Sequence, residues 1–103
     1  MKILLACSSG MSTSLLVTKM EKYAEQEGIK ATIWAVGQDK VEQEMENAEV
    51  ILLGPQMRFL KSRFEPKAKE LNIPIDVINP MIYGRCDGKA VLEMAIKLID
   101  NNK

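Results

Sequence analysis

Lys2-Ile3-Leu4-Leu5-Ala6-Cys7-Ser8-Ser9-Gly10-Met11-Ser12-Thr13-Ser14 decides the fold of this 103-residue chain. Ile3 to Ala6 is apolar without alternation, which predicts a strand over Lys2–Ala6 covered on both faces. Leu15, Leu16, Val17 and Met20 then begin a helical pattern. A buried strand that turns through small residues into a helix is the opening unit of a parallel α/β sheet. Cys7 falls where the strand ends. The helix start beside it carries backbone N–H groups without intrahelical partners and a positive dipole end of about half a charge. Ser8, Ser9 and Gly10 are small enough for the backbone to curl with successive N–H groups pointing inward, and such a nest binds a phosphate dianion. The same field favours a thiolate, which makes Cys7 a candidate nucleophile. Ser12, Thr13 and Ser14 add hydroxyl donors and a choice of N-cap.

Outward from this stretch the pattern repeats as strand, helix, strand, helix. The first helix is expected over Ser12–Glu27, with Leu16, Met20, Tyr23 and Ala24 inward and Gly28 as its stop. A second strand is expected over Lys30–Val36, at an edge, since Ala31, Ile33 and Ala35 alternate with Thr32, Trp34 and Val36. A short helix follows over Asp39–Met45, with Val41 and Met45 inward. Val50–Leu53 reads as a third strand, turned by Gly54-Pro55-Gln56 at the same sheet edge as Cys7. Met57, Leu60, Phe64, Ala68 and Leu71 have helical spacing, with a bend expected at Pro66. The fourth strand is expected over Ile75–Ile78, then a loop or short helical turn at 81–84. A last helix is expected over Gly88–Ile99, capped by Asp87, with Val91, Met94, Ala95 and Leu98 inward. The expected fold is α/β: a single three-layer domain over 1–103, with a four-stranded parallel sheet in the order 2-1-3-4 and helices on both faces.

Composition narrows the chemistry. Lys plus Arg equals Asp plus Glu at 14 each, so the basic excess of a nucleic-acid binder is missing. No apolar run reaches the length of a membrane span, and the segment after Met1 reads as a strand rather than a signal peptide. Two cysteines far apart form neither a C-x-x-C pair nor a zinc pattern, which fits a reducing cytosol. The sequence contains no histidine. That excludes a Ser-His-Asp triad, a Cys-His dyad, a His-ligated metal and a phosphohistidine on this chain. No metal and no cofactor are expected.

Cysteine by itself is often a packing residue. A packing cysteine does not require Ser-Ser-Gly after it, and five hydroxyl residues between positions 8 and 14 exceed what one helix cap uses. An anion site over Cys7 explains the stretch better. It lacks the lysine of a Walker-type nucleotide loop. Its nearest chemical relative is the C-x5-R loop of low-molecular-weight tyrosine phosphatases and arsenate reductases, but Thr13 stands where the arginine would be. Without that arginine, and with the carboxylates Asp76 and Asp87 read as a strand residue and a helix cap, fast hydrolysis is disfavoured. Gln56 and Tyr83 are candidates for supporting the loop, Met11 for an apolar contact at its mouth, and Cys86 for a bystander. A phosphatase or arsenate-reductase-like enzyme remains the alternative, and an anion-binding module with an inert cysteine a third.

Cys7-Ser8-Ser9-Gly10-Met11-Ser12-Thr13-Ser14-Leu15-Leu16-Val17 after the first strand resembles enzyme IIB of the lactose/cellobiose group of the sugar phosphotransferase system, the cellobiose/chitobiose branch above all. Leu53-Gly54-Pro55-Gln56 and Tyr83-Gly84 with Asp87-Gly88 extend the likeness along nearly the whole chain. The resemblance implies a cytoplasmic phosphotransferase, peripheral to a membrane permease. It would accept phosphate from a phosphohistidine of enzyme IIA onto Cys7, with residues Ser8 to Ser14 binding the phosphate. It would then pass that phosphate to a β-linked disaccharide entering through enzyme IIC. Both partners are expected to dock transiently on a monomer.

Overall fold

The computed structural model describes residues 1–7 and 10–102, with residues 10–13 described by their backbone alone. Four parallel strands, β1 (Lys2–Ala6), β2 (Thr32–Val36), β3 (Val50–Leu53) and β4 (Ile75–Val77), form one sheet in the order β2-β1-β3-β4. The expected order is therefore the observed one. β1 lies in register with β2 from Lys2↔Thr32 to Ala6↔Val36 and with β3 from Ile3↔Val50 to Ala6↔Leu53. Every residue of β3 is buried, as is β1 from Ile3 on, because both strands are covered on two faces.

Strand alternation divides the core in two. Ile3, Leu5, Val50 and Leu52 join Leu16, Met20 and Ala24 of α1 (Gly10–Gln26) and Val91, Leu92 and Ala95 of α5 (Gly88–Asn101). Leu4, Ala6, Ile51 and Leu53 join Val41 of α2 (Val41–Glu44) and Phe64 and Ala68 of α3 (Lys61–Glu70) on the other face. Three layers follow directly from the period of two. β2 is an edge strand, as its half-polar pattern predicts, and Trp34 is half-buried there with its indole N–H donating to Glu44 Oε1 at 3.0 Å.

Several boundaries differ from expectation. α1 begins at Gly10 rather than Ser12, so Ser12 to Ser14 lie inside its first turns and not at its cap. Gly28 ends it as expected: at φ 67°, with Ile29 N–H donating to Ala24 O and Gly28 N–H to Glu25 O, it closes a Schellman turn. The short second helix is a composite, 3₁₀ at Gln38–Lys40, α at Val41–Glu44 and 3₁₀ again at Met45–Asn47, with Val41 and Met45 buried as predicted. The third helical region changes character at Lys61, not at Pro66. Pro55–Leu60 is 3₁₀, and α3 runs through Pro66 to Glu70. Leu71, expected inward, is exposed because the helix has ended there.

The 81–84 segment is a helix, α4 (Pro80–Gly84), with Pro80 at its first position and Asn79 accepting from Met81 N–H at 2.8 Å. It stops at Cys86, which takes φ 54° while Cys86 N–H donates to Tyr83 O and Asp87 N–H to Ile82 O. Asp87 caps α5 as expected, accepting from Ala90 N–H at 3.1 Å.

Candidate functional site

The C-terminal ends of β1, β2 and β3 meet at Cys7. Cys7 N–H donates to Val36 O at 3.2 Å, and Gly54 N–H donates to Ala6 O at 2.8 Å. Strict alternation would send Cys7 to the α1/α5 face with Ile3 and Leu5. It packs instead with Leu4 and Ala6 in the α2/α3 cluster, so the chain leaves strand geometry at this residue. Cys7 is 2% exposed. Three residues on, α1 starts at Gly10. A helix of 17 residues therefore begins beside the sulfur-bearing residue, and the first four N–H groups of any α-helix have no acceptor within it. The N-terminus of such a helix is the positive end of its dipole and favours a negative charge nearby.

Of the expected phosphate-binding residues, Ser8 and Ser9 lie outside the described residues. Gly10, Met11, Ser12 and Thr13 are placed by backbone in the first turn of α1, and the contact expected of the Met11 side chain likewise falls outside. Ser14 is exposed, and its carbonyl accepts from the Thr18 hydroxyl at 3.1 Å.

The two supporting candidates come together. Gln56 Nε2 donates to Tyr83 Oη at 3.5 Å, joining the turn after β3 to α4 after β4. The Gln56 side chain also folds back over Gly54. A Cβ at Gly54 would lie 2.9 Å from Gln56 Oε1 and 3.5 Å from Ala6 O. The end of the Gln56 side chain thus lies over Gly54, whose own N–H donates to the carbonyl preceding Cys7. The carboxylates weighed for hydrolysis are occupied elsewhere. Asp76 accepts from Val77 N–H at 2.8 Å and faces Lys61 Nζ at 3.5 Å, while Asp87 caps α5 and faces Arg85 at 3.8 Å. Cys86 packs against the α1/α5 cluster, on the opposite face of the sheet from the cluster holding Cys7, and neither thiol is in a disulfide.

Sequence reasoning missed three exposed apolar side chains. Leu15, Phe59 and Met81 are large exposed side chains, the last two 69% exposed. They sit on α1, the 3₁₀ segment and α4, the elements that follow β1, β3 and β4. Phe59 gave no signal because its segment turns every three residues: Met57 and Leu60 share the buried face and Phe59 falls off it.

Residues 2–94 match the family described as PTS system, Lactose/Cellobiose specific IIB subunit. The oligo-beta-mannoside-specific EIIB component of Bacillus subtilis is 57% identical over 100 residues, 97% of each chain. The cellobiose-specific EIIB component of Lactococcus lactis subsp. lactis is 39% identical over 103 residues, 95% of each chain. The solution structure of the cellobiose-specific phosphotransferase IIB component of Borrelia burgdorferi superposes with TM-score 0.83 at 44% identity, covering 100% of this chain and 94% of the other. The lactose-specific IIB domain of Streptococcus pneumoniae shares the fold, with TM-score 0.85 at 18% identity and 95% and 96% coverage.

Proposed function

The chain belongs to the lactose/cellobiose-specific IIB subunits of the PTS, sugar phosphotransferase components, and on that premise we propose that Cys7 is its phosphoryl carrier. The observation that supports this most is the placement of Cys7 between the end of β1 and the start of α1. In the first step the Cys7 sulfur attacks the phosphorus of a phosphohistidine on enzyme IIA. An S–P bond forms, the N–P bond breaks, and the imidazole leaves with the electron pair. In the second step a sugar hydroxyl held by enzyme IIC attacks the same phosphorus. The S–P bond breaks, the sulfur leaves as thiolate, and the hydroxyl proton goes to a base on the membrane partner. Backbone N–H groups of the segment 8–14 stabilise the transferring oxygens in both steps. With no histidine in the chain, the donor imidazole comes from another protein.

Engagement of Asp76 and Asp87 elsewhere weighs against the phosphatase alternative. Gln56 and Tyr83 act as positioning residues that hold the turn after β3 against the Cys7 segment. Gln56→Ala should slow transfer from enzyme IIA by about two- to tenfold, the effect of one neutral hydrogen bond, with the unfolding midpoint unchanged. Equal rates in single-turnover transfer would remove Gln56 from the site.

Leu15, Phe59 and Met81, exposed on elements that follow β1, β3 and β4, are the apolar contacts proposed for the transient partners. The variant Phe59→Ser/Met81→Ser should slow transfer at low donor concentration and recover at saturation, and identical kinetics at all concentrations would reject these contacts. The protein is proposed to work in the cytoplasm beside its permease; among the described residues no helix is long and apolar enough to cross a membrane. The proposed sugar is a β-linked disaccharide. The 57% identical relative is named for oligo-beta-mannosides and the 39% identical one for cellobiose, so both are tested. Phosphoenolpyruvate, the general phosphotransferase proteins, enzyme IIA, permease membranes and this chain should together phosphorylate mannobiose or cellobiose. Sugar phosphorylation that proceeds without this chain would contradict the proposal, as would turnover of p-nitrophenyl phosphate by the chain alone.

A further inference from the structure

A concave surface lies away from Cys7, where α5 crosses α1. A Cβ at Gly88 would lie 2.6 Å from the Lys19 carbonyl carbon and 2.7 Å from Met20 N, so the two helix backbones nearly touch. The crossing is nine residues along α1 from Gly10, about 14 Å at the helical rise, so it is separate from the Cys7 end. It brings Lys19 and Lys22 of α1 beside Arg85 and Lys89, around a groove of 540 Å³ that Tyr23 and Cys86 also line.

The charge there is unbalanced. Arg85 and the single acidic residue of the groove, Asp87, face each other at 3.8 Å, and Asp87 also caps α5. Lys19, Lys22 and Lys89 make no ion pair among the described residues. The chain as a whole has no net charge, so this is a local excess. A cube of the groove's volume measures about 8 Å on a side, no more than the Debye length of about 8 Å at physiological ionic strength, so the three fields add within it. Lys89 Nζ lies 5.9 Å from the Tyr23 ring centroid, which draws one cation over the groove rather than out into solvent. Tyr23 and Cys86 leave an apolar wall beside the cations. The volume falls in the range of small-molecule sites.

We propose that this groove is a second anion site, taking a soluble phosphate dianion, free or as the monoester of a small polar molecule. Lys19, Lys22 and Lys89 supply the charge, and the Tyr23 wall receives the organic part of an ester. Occupancy does not involve Cys7, so the site stands or falls independently of the carrier reading.

The test is an amide NMR titration of the Cys7→Ser protein with inorganic phosphate and with glucose 6-phosphate, each matched in ionic strength by sodium chloride. Signals of Lys19, Lys22, Gly88 and Lys89 should move saturably with one or both phosphates and not with chloride. Comparing the two ligands separates free phosphate from the ester. Lys22→Ala/Lys89→Ala should weaken this response by about a hundredfold, tenfold for each charged contact. Movement that follows ionic strength alone, or survives unchanged in the double variant, would overturn the proposal. So would a response confined to phosphatidylglycerol vesicles.

Discussion

Cys7→Ser is expected to abolish phosphate acceptance, a loss of at least about a thousandfold in single-turnover transfer from enzyme IIA, while the chain still folds. The rate argument is chemical: a hydroxyl without a general base is a poor nucleophile, and the chain has no histidine to serve as one. The stability argument comes from burial. Cys7 is 2% exposed within an apolar cluster, and substituting a buried residue of this kind costs about 0.5–3 kcal/mol. A domain of this size holds about 5–15 kcal/mol, so the variant stays folded at 25 °C with a lowered melting temperature. Cys7→Ala removes the sulfur without adding a polar group and separates the two effects. Both variants should be inactive, whichever of them is the more stable. Transfer by either at more than a few per cent of the parent rate would contradict the role given to Cys7.

Gly88→Ala carries the largest expected stability effect in the fold. Its Cβ would meet backbone atoms of α1, at 2.6 Å and 2.7 Å, and backbone cannot swing aside as a flexible side chain can. α5 must therefore move away from α1, which opens the packing of Val91, Leu92 and Ala95 on Leu16 and Met20. Overpacking of this kind costs about 1–3 kcal/mol, and contact with the α1 backbone itself puts it at the upper end. Three kcal/mol corresponds to a fall of roughly 12–24 °C in the unfolding midpoint for about 100 residues. The helix-propensity gain of alanine over glycine, at most about 1 kcal/mol, does not offset this. A calorimetric midpoint within a few degrees of the parent would show that α5 rides farther from α1 than described.

The sheet was legible because its signals are redundant. β1 and β3 are short apolar runs without alternation, bounded by turn residues, as in strands covered on both sides, and their spacing leaves room for one crossover helix each. Asp87 and Gly28 are cap residues with sequence signatures, and both do what those signatures predict. α4 was less legible because its stop falls on Cys86, whose left-handed conformation no sequence rule anticipates, since glycine or asparagine is the usual occupant. Asn72 ends α3 in the same way, at φ 59°, and so leaves Leu71 outside the core although its spacing fits the buried stripe.

The candidate site divides along similar lines. Cys7 and Gln56 were legible because strand ends of a parallel sheet converge, so the residue after β1 and the turn after β3 are neighbours by topology. Contact between Gln56 and Tyr83 was not legible, because it depends on where α4 lies after β4. The groove at Gly88 was least legible of all. Its cations come from four separate positions on α1, the α4–α5 turn and α5, and only the close helix crossing unites them.

Tandem mass spectrometry of the tryptic peptide 3–19, after reaction with phosphoenolpyruvate, the general phosphotransferase proteins and enzyme IIA, places the phosphate directly. That peptide holds Cys7 together with Ser8, Ser9, Ser12, Thr13, Ser14 and Thr18, so every competing acceptor near the strand end is read in one spectrum. The phosphate is predicted on the Cys7 sulfur, discharged when permease membranes and sugar are added. Phosphate on any of the hydroxyls instead, or a peptide that stays unmodified while sugar is phosphorylated, would contradict the account.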